Sequence, residues 1–219
     1  MAQRTVHYLL GEMLIDCGVK DVDRFRIGNL LPDAIESTAF RDLTHYTKSE
    51  LIDGKTRKYS DFEAFRREFA PLVESDGLYL GYYLHLVEDA CCRVQWDELG
   101  ILGRIRDFDD VRRLHRDYHI LNGYIVRRWG IEDSLVMPEG FENEPVTRIY
   151  PFLLTDFLTE MRGDFDDPAR GETVFVTERT IDSFVEDYLD ICRDALRRIL
   201  TGAEPLDPKT LCWKPHVAT

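Results

Sequence analysis

The sequence predicts an all-α fold, a multi-helix single domain spanning residues 1–219. Apolar residues recur at helical rather than alternating spacing, in about six segments, which argues for helices packed on helices. Neither a repeat nor a low-complexity tract divides the chain, and 219 residues suffice for one domain of generous size. With 44% hydrophobic and 32% charged residues the composition is that of a globular protein, and disorder is not indicated.

Residues 5–17 place Val6, Leu9, Leu10, Met13, Leu14 and Cys17 at helical spacing, and Gly18 ends this first helix. A polar connection leads to FRIGNLLPDAIE, where Gly28-Asn29 and Pro32 punctuate the chain and Asp33 stands at the start of a helix. Residues 38–58, polar and rich in basic side chains, read as irregular. Ser60 with Glu63 three positions later matches a capping box, and Phe62, Phe65 and Phe69 form the stripe of the helix it opens. A helix apolar on nearly every side runs from about Leu78 to Val94. Another opens at Asp107–Asp110, with Leu114, Tyr118, Leu121 and Ile125 on one face. Residues 148–161 supply a further helix, followed by the acidic loop RGDFDDPARGE. The segment ETVFVT is a short strand or, as read here, an extended lead into a last helix over residues 180–200. Leu189, Cys192, Leu196 and Ile199 form its inner face.

The formal net charge of −13 disfavours nucleic acid and anionic membranes, so no nucleic-acid partner is expected. No segment approaches the roughly 18 apolar residues of a membrane span, so no stable membrane insertion is expected. Glu12 and Asp16 interrupt the apolar run near the N-terminus and no small-residue cleavage site follows, which speaks against a secretory signal. The five cysteines are odd in number and show no CxxC spacing. A reduced, cytoplasmic protein is the expectation, with any metal ligands among histidines and carboxylates.

His85 and Asp89, at i and i+4 in YLGYYLHLVEDACCR, project from one face of the apolar helix and can reach one ion. A charged carboxylate left unpaired there costs roughly several kcal/mol, so Asp89 needs a partner: His85 itself, an arginine from elsewhere, or a metal. Asp33 reads as a helix cap or a ligand, His45 as a solvated loop residue or a ligand, and His7 as a histidine at the edge of the core or a ligand. On the helix of residues 107–129 the apolar stripe centres about 20° from Leu114, with Asp117 about 80° to one side and His115 about 80° to the other. His119, about 120° away, is expected on the solvated face.

The order of these residues, VHYLLGEML, then FRIGNLLPDA, then THY, then GYYLHLVEDA, resembles small bacterial proteins of the zinc-dependent phospholipase C family, related in fold to P1-type nucleases. The resemblance covers roughly the first 130 residues. It implies a metal cluster of Asp33, His45, His85 and Asp89, with His7 serving a second ion and Asp117, in RDYHILN, a further ligand unless His115 or His119 replaces it. It implies one or two Zn²⁺ ions, another divalent metal being the alternative. The secreted enzymes of the family also use their processed N-terminus as a ligand. Six residues precede His7 in this sequence, and that ligand is not expected.

These observations lead to a metal-dependent phosphoester hydrolase that uses a metal-activated water, with Asp33 orienting the water as well as binding metal. Its substrate is a small phosphoester or a lipid head group; oligomeric state is not readable. Arg41 reads as a phosphate contact or, preferred here, as a solvated side chain. An HD-type phosphohydrolase is a further alternative, disfavoured because no His-Asp dipeptide occurs. A helical binding or regulatory module with a structural metal, or with none, is the alternative outside enzymology.

Overall fold

The computed structural model describes residues 2–52, 54–166 and 169–212. Helix α1 (Arg4–Leu14) buries Val6, His7, Tyr8, Leu9, Leu10 and Leu14. A 3-10 turn, Ile15–Cys17, follows, and Gly18 closes it at φ 104°, a conformation that favours glycine. Helix α2 (Val22–Gly28) takes in the end of the expected polar connection and the first residues of FRIGNLLPDAIE. Only Phe25 and Ile27 point its apolar side inward, too few for a periodic signal in the sequence. Asp33 lies in a 3-10 turn, Leu31–Asp33, and not at the start of a longer helix.

Residues 38–58 are more ordered than expected. A 3-10 turn, Thr38–Phe40, runs into the short helix α3 (Arg41–Thr44), and strands β1 (Thr47–Ile52) and β2 (Lys55–Ser60) pair antiparallel, Thr47 opposite Ser60. Leu51, on β1, is exposed, so this hairpin buries no alternating face that a sequence pattern could record. Helix α4 (Phe62–Glu68) is capped by Asp61, whose carboxylate accepts from the N–H of Ala64 at 3.0 Å; Ser60, the expected cap, lies in β2.

After the short α5 (Leu72–Ser75) comes α6 (Gly77–Glu98), the expected apolar helix, extended at its C-terminal end. Then α7 (Ile101–Arg104) precedes α8 (Phe108–Trp129), which Asp107 caps through the N–H of Asp110. The helix expected over residues 148–161 begins later, as α9 (Leu154–Asp166). Pro151 lacks an N–H and disfavours helical backbone at the residue before it, so the chain stays irregular until the proline is passed. ETVFVT, expected as a strand or an extended lead, bends at Val174 and Phe175, and its Thr177 forms a reciprocal cap with Thr180 at the start of α10 (Glu178–Thr201). Helix α11 (Pro208–Cys212) completes the described chain. The fold is thus all-α but for one hairpin, and no helix among the described residues is long and apolar enough to cross a membrane.

Helix α6 is the axis around which α2, α4, α5, α10 and α11 pack, which is why almost every residue from Gly77 to Trp96 is buried. Its contact with α2 is backbone against backbone. A Cβ on Gly28 would lie 1.9 Å from the carbonyl oxygen of Leu78, and one on Gly81 would lie 2.2 Å from that of Phe25. These glycines let α2 approach until Asn29, the residue after it, reaches the turn of α6 that carries His85.

Candidate metal centre

Three histidines from three parts of the chain meet in the space between α1, α3 and α6. Each ring is oriented through Nδ1. His85 Nδ1 lies 2.9 Å from the carbonyl oxygen of Asn29. His45 Nδ1 lies 3.0 Å from the carbonyl oxygen of Arg41 and 3.0 Å from Thr44 Oγ1, whose own hydrogen goes to the carbonyl of Pro32. His7 Nδ1 lies 2.5 Å from Oε2 of Glu88, a fully buried carboxyl on α6. A carbonyl oxygen can only accept, so Nδ1 of His45 and of His85 carries the proton and Nε2 is left as a bare lone pair.

Those lone pairs converge. His85 Nε2 and His45 Nε2 are 3.2 Å apart, and His45 Nε2 is 3.1 Å from Asp33 Oδ1. His7 stacks on His85 with ring centroids 3.8 Å apart, and its Nε2 is 3.6 Å from Asp89 Oδ1. Buried His7 Nε2 has no hydrogen-bond partner among the described residues. Lone pairs and carboxylate oxygens at such separations repel unless a cation or a shared proton lies among them. Among the described residues, two groups have ligand atoms within 4.8 Å of one another: His7, His85 and Asp89, and Asp33, His45 and His85. These donors suit Zn²⁺ and related divalent ions, and the Nδ1 contacts supply the outer hydrogen bonds by which proteins orient metal-bound imidazoles.

The electrostatics agree with neutral rings and a charged Asp33. Burial holds His85 down to about 4 and, with His85 adding for His7 and Arg41 for His45, keeps the other two well below the ordinary imidazole value. Burial opposes the charge of Asp33, yet Arg41 and His45 hold its carboxyl well below the usual carboxylate range. Burial pushes Glu88 well above that range. Exposure rises across the site, from 0% for His7 to 4% for Asp89, 15% for Asp33 and 27% for Arg41, so its open side is the side of Asp33 and Arg41.

Of the six expected ligands, His7, Asp33, His45, His85 and Asp89 are brought together, and Asp117 is not. The Asp117 carboxylate is buried on α8, where its oxygens accept the N–H groups of Val174 at 2.9 Å, Phe175 at 2.6 Å and Val176 at 3.1 Å. It anchors the bent lead into α10. Neither alternative replaces it: His119 is exposed, 3.8 Å from Asp164, and His115 is exposed beside Tyr118. Arg41, expected to be solvated, bridges the two aspartates, with Nη1 2.8 Å from Asp33 Oδ1 and Nη2 2.9 Å from Asp89 Oδ2.

Two residues of the site escaped sequence reasoning. Asn29, read there as a turn residue, orients His85 with its carbonyl and donates from Nδ2 to the carbonyl of His7 at 2.6 Å. Glu88 carried a usable signal: it is a second carboxylate in the apolar helix, three residues after His85. The amide N–H of Ala2 also donates to Asp89 Oδ1 at 2.8 Å. Comparison of the chain with family models, with curated proteins and with solved structures finds no match.

Proposed function

We propose that the protein is a metal-dependent phosphoester hydrolase, of the kind the zinc-dependent phospholipase C family represents. The observation that carries the metal centre is the 3.2 Å approach of two Nε2 lone pairs whose Nδ1 partners are both carbonyl oxygens. His85 Nε2 has one lone pair and belongs to both ligand groups, so it serves one ion only. One tightly held ion is therefore expected, with a second, weaker one on the remaining ligands.

Bound there, a Zn²⁺ ion would lower the pKa of water, to about 7 in favourable sites, and offset negative charge on a phosphoryl group. The protein's own residues divide the remaining work. Glu88, Asn29 and the Arg41 carbonyl hold the three rings in one orientation before any ligand arrives. Asp33, the more exposed of the two clustered aspartates, faces the open side, where it can orient an attacking water. Burial of His7 and His85 keeps bulk solvent from the inner half of the site.

The test is elemental analysis of protein purified without an affinity tag, beside a His85→Ala/Asp89→Ala variant confirmed to be folded. One to two zinc, iron or manganese ions per chain, lost in the variant, together with hydrolysis of an activated phosphodiester, is the expected result. Wild type that is folded, metal-free and unable to take metal up would overturn the reading. Metal held with no hydrolysis across mono- and diesters would favour a structural ion in a helical binding module.

A further inference from the structure

Arg41 has a geometry that a simple brace does not require. Its two terminal nitrogens reach different carboxylates, one arm to Asp33 and one to Asp89, so neither carboxylate receives the paired fork that guanidinium forms best. Its main chain is held in α3, where the carbonyl accepts from His45, while its side chain is the most exposed of the charged groups around the cluster. Both of its partners belong to the ligand groups of the metal centre. A dication among those ligands would repel the guanidinium and draw off the charge that holds it.

We propose that Arg41 is the oxyanion-binding residue of the site. Without metal its guanidinium neutralises Asp33 and Asp89. With metal bound, it turns its fork outward to two non-bridging oxygens of a phosphoryl group at the open side. The inference rests on the metal-centre reading and deepens it, because it selects anionic phosphate esters over neutral esters. A carboxylic ester offers no pair of anionic oxygens for the fork to engage.

The experiment uses full-length, tag-free wild type, Arg41→Met and Arg41→Lys. Zinc affinity is measured by competition with a chromophoric chelator, and inorganic phosphate is titrated into each zinc-loaded protein by calorimetry. Arg41→Met is expected to bind zinc at least as tightly as wild type and to lose about tenfold or more in phosphate affinity. Arg41→Lys keeps the charge without the fork, and a loss of about threefold or more in phosphate affinity is expected with zinc affinity nearly unchanged. Phosphate affinity indifferent to both substitutions, or zinc affinity falling in both, would overturn the proposal and leave Arg41 a brace. Should Arg41→Met fail to fold, Arg41→Lys decides on the same criterion. Wild type that binds no zinc removes the metal centre and this inference together; wild type that binds zinc, with phosphate indifferent to Arg41, removes this inference alone.

Discussion

Glu88 Oε2 lies 2.5 Å from Nδ1 of His7, and both side chains are fully buried. The pair couples α6 to α1 and leaves His7 Nε2 directed at the cluster. A carboxylate behind a metal-bound imidazole raises its basicity and fixes its tautomer. Burial disfavours the charge of Glu88 in the metal-free chain, and a cation on His7 would favour it. Glu88→Gln keeps the shape while removing the capacity to ionise. Zinc affinity is expected to fall by about 10- to 100-fold, measured by chelator competition. An unchanged affinity would mean that His7 is not a ligand.

The three rings predict how metal-free protein responds to acid. The ordinary imidazole value is 6.5, and burial lowers His85 to about 4 and His7 and His45 well below ordinary. The native state therefore holds neutral rings that the unfolded chain would protonate below pH 6.5. Unfolding then takes up protons, so stability falls as pH drops from about 6.5, and the His85 contribution stops growing near pH 4. Each ring contributes up to about 1.4 kcal/mol per pH unit in that window. Urea unfolding of metal-free protein at pH 7.5, 6.0 and 5.0 measures this; a flat profile would contradict neutral native rings.

Asp117 separates a structural carboxylate from the candidate ligands Asp33 and Asp89. It accepts three backbone N–H groups, two of them on the buried residues Phe175 and Val176. Asp117→Ala is expected to cost about 2–4 kcal/mol in urea unfolding, because buried donors lose a charged acceptor. Zinc content should match wild type. Loss of zinc at unchanged stability would return Asp117 to the ligand set.

Gly28 tests the packing that sets the site. Its Cβ would fall 1.9 Å from the backbone oxygen of Leu78, an atom of helix α6 that cannot swing aside. Gly28→Ala should destabilise by about 3 kcal/mol or more, or prevent folding. Gly163→Ala is the control: that glycine lies in α9 with open space around it. It should stabilise by about 0.5–1 kcal/mol. Thermal unfolding of both proteins distinguishes local overpacking from a general effect of added methyl groups.

From the sequence by itself came the helical class, the long helices and, through the resemblance, the candidate ligands His7, Asp33, His45, His85 and Asp89, which the structure brings together. Helical periodicity and the placement of polar side chains among apolar ones are local properties, readable at 3.6 residues per turn. His85 and Asp89 stood out because a buried helix has no local use for them, and Asp33, His45 and His7 joined them through the ordered motifs of the resemblance. Tertiary structure decided the rest. The hairpin of β1 and β2 buries no periodic face, and α2 is too short to show one. Asp117 has the same chemistry as Asp89, but its acceptor role depends on a segment 57 to 59 positions away that supplies three N–H groups. Arg41 reads as a solvated side chain until α3 lays it across two aspartates from other elements. Glu88, Asn29 and the Arg41 carbonyl orient the three rings only because α1, α2, α3 and α6 pack together, with glycines allowing α2 and α6 to touch. Which atom a polar group meets is a long-range property, settled by packing and invisible to local spacing.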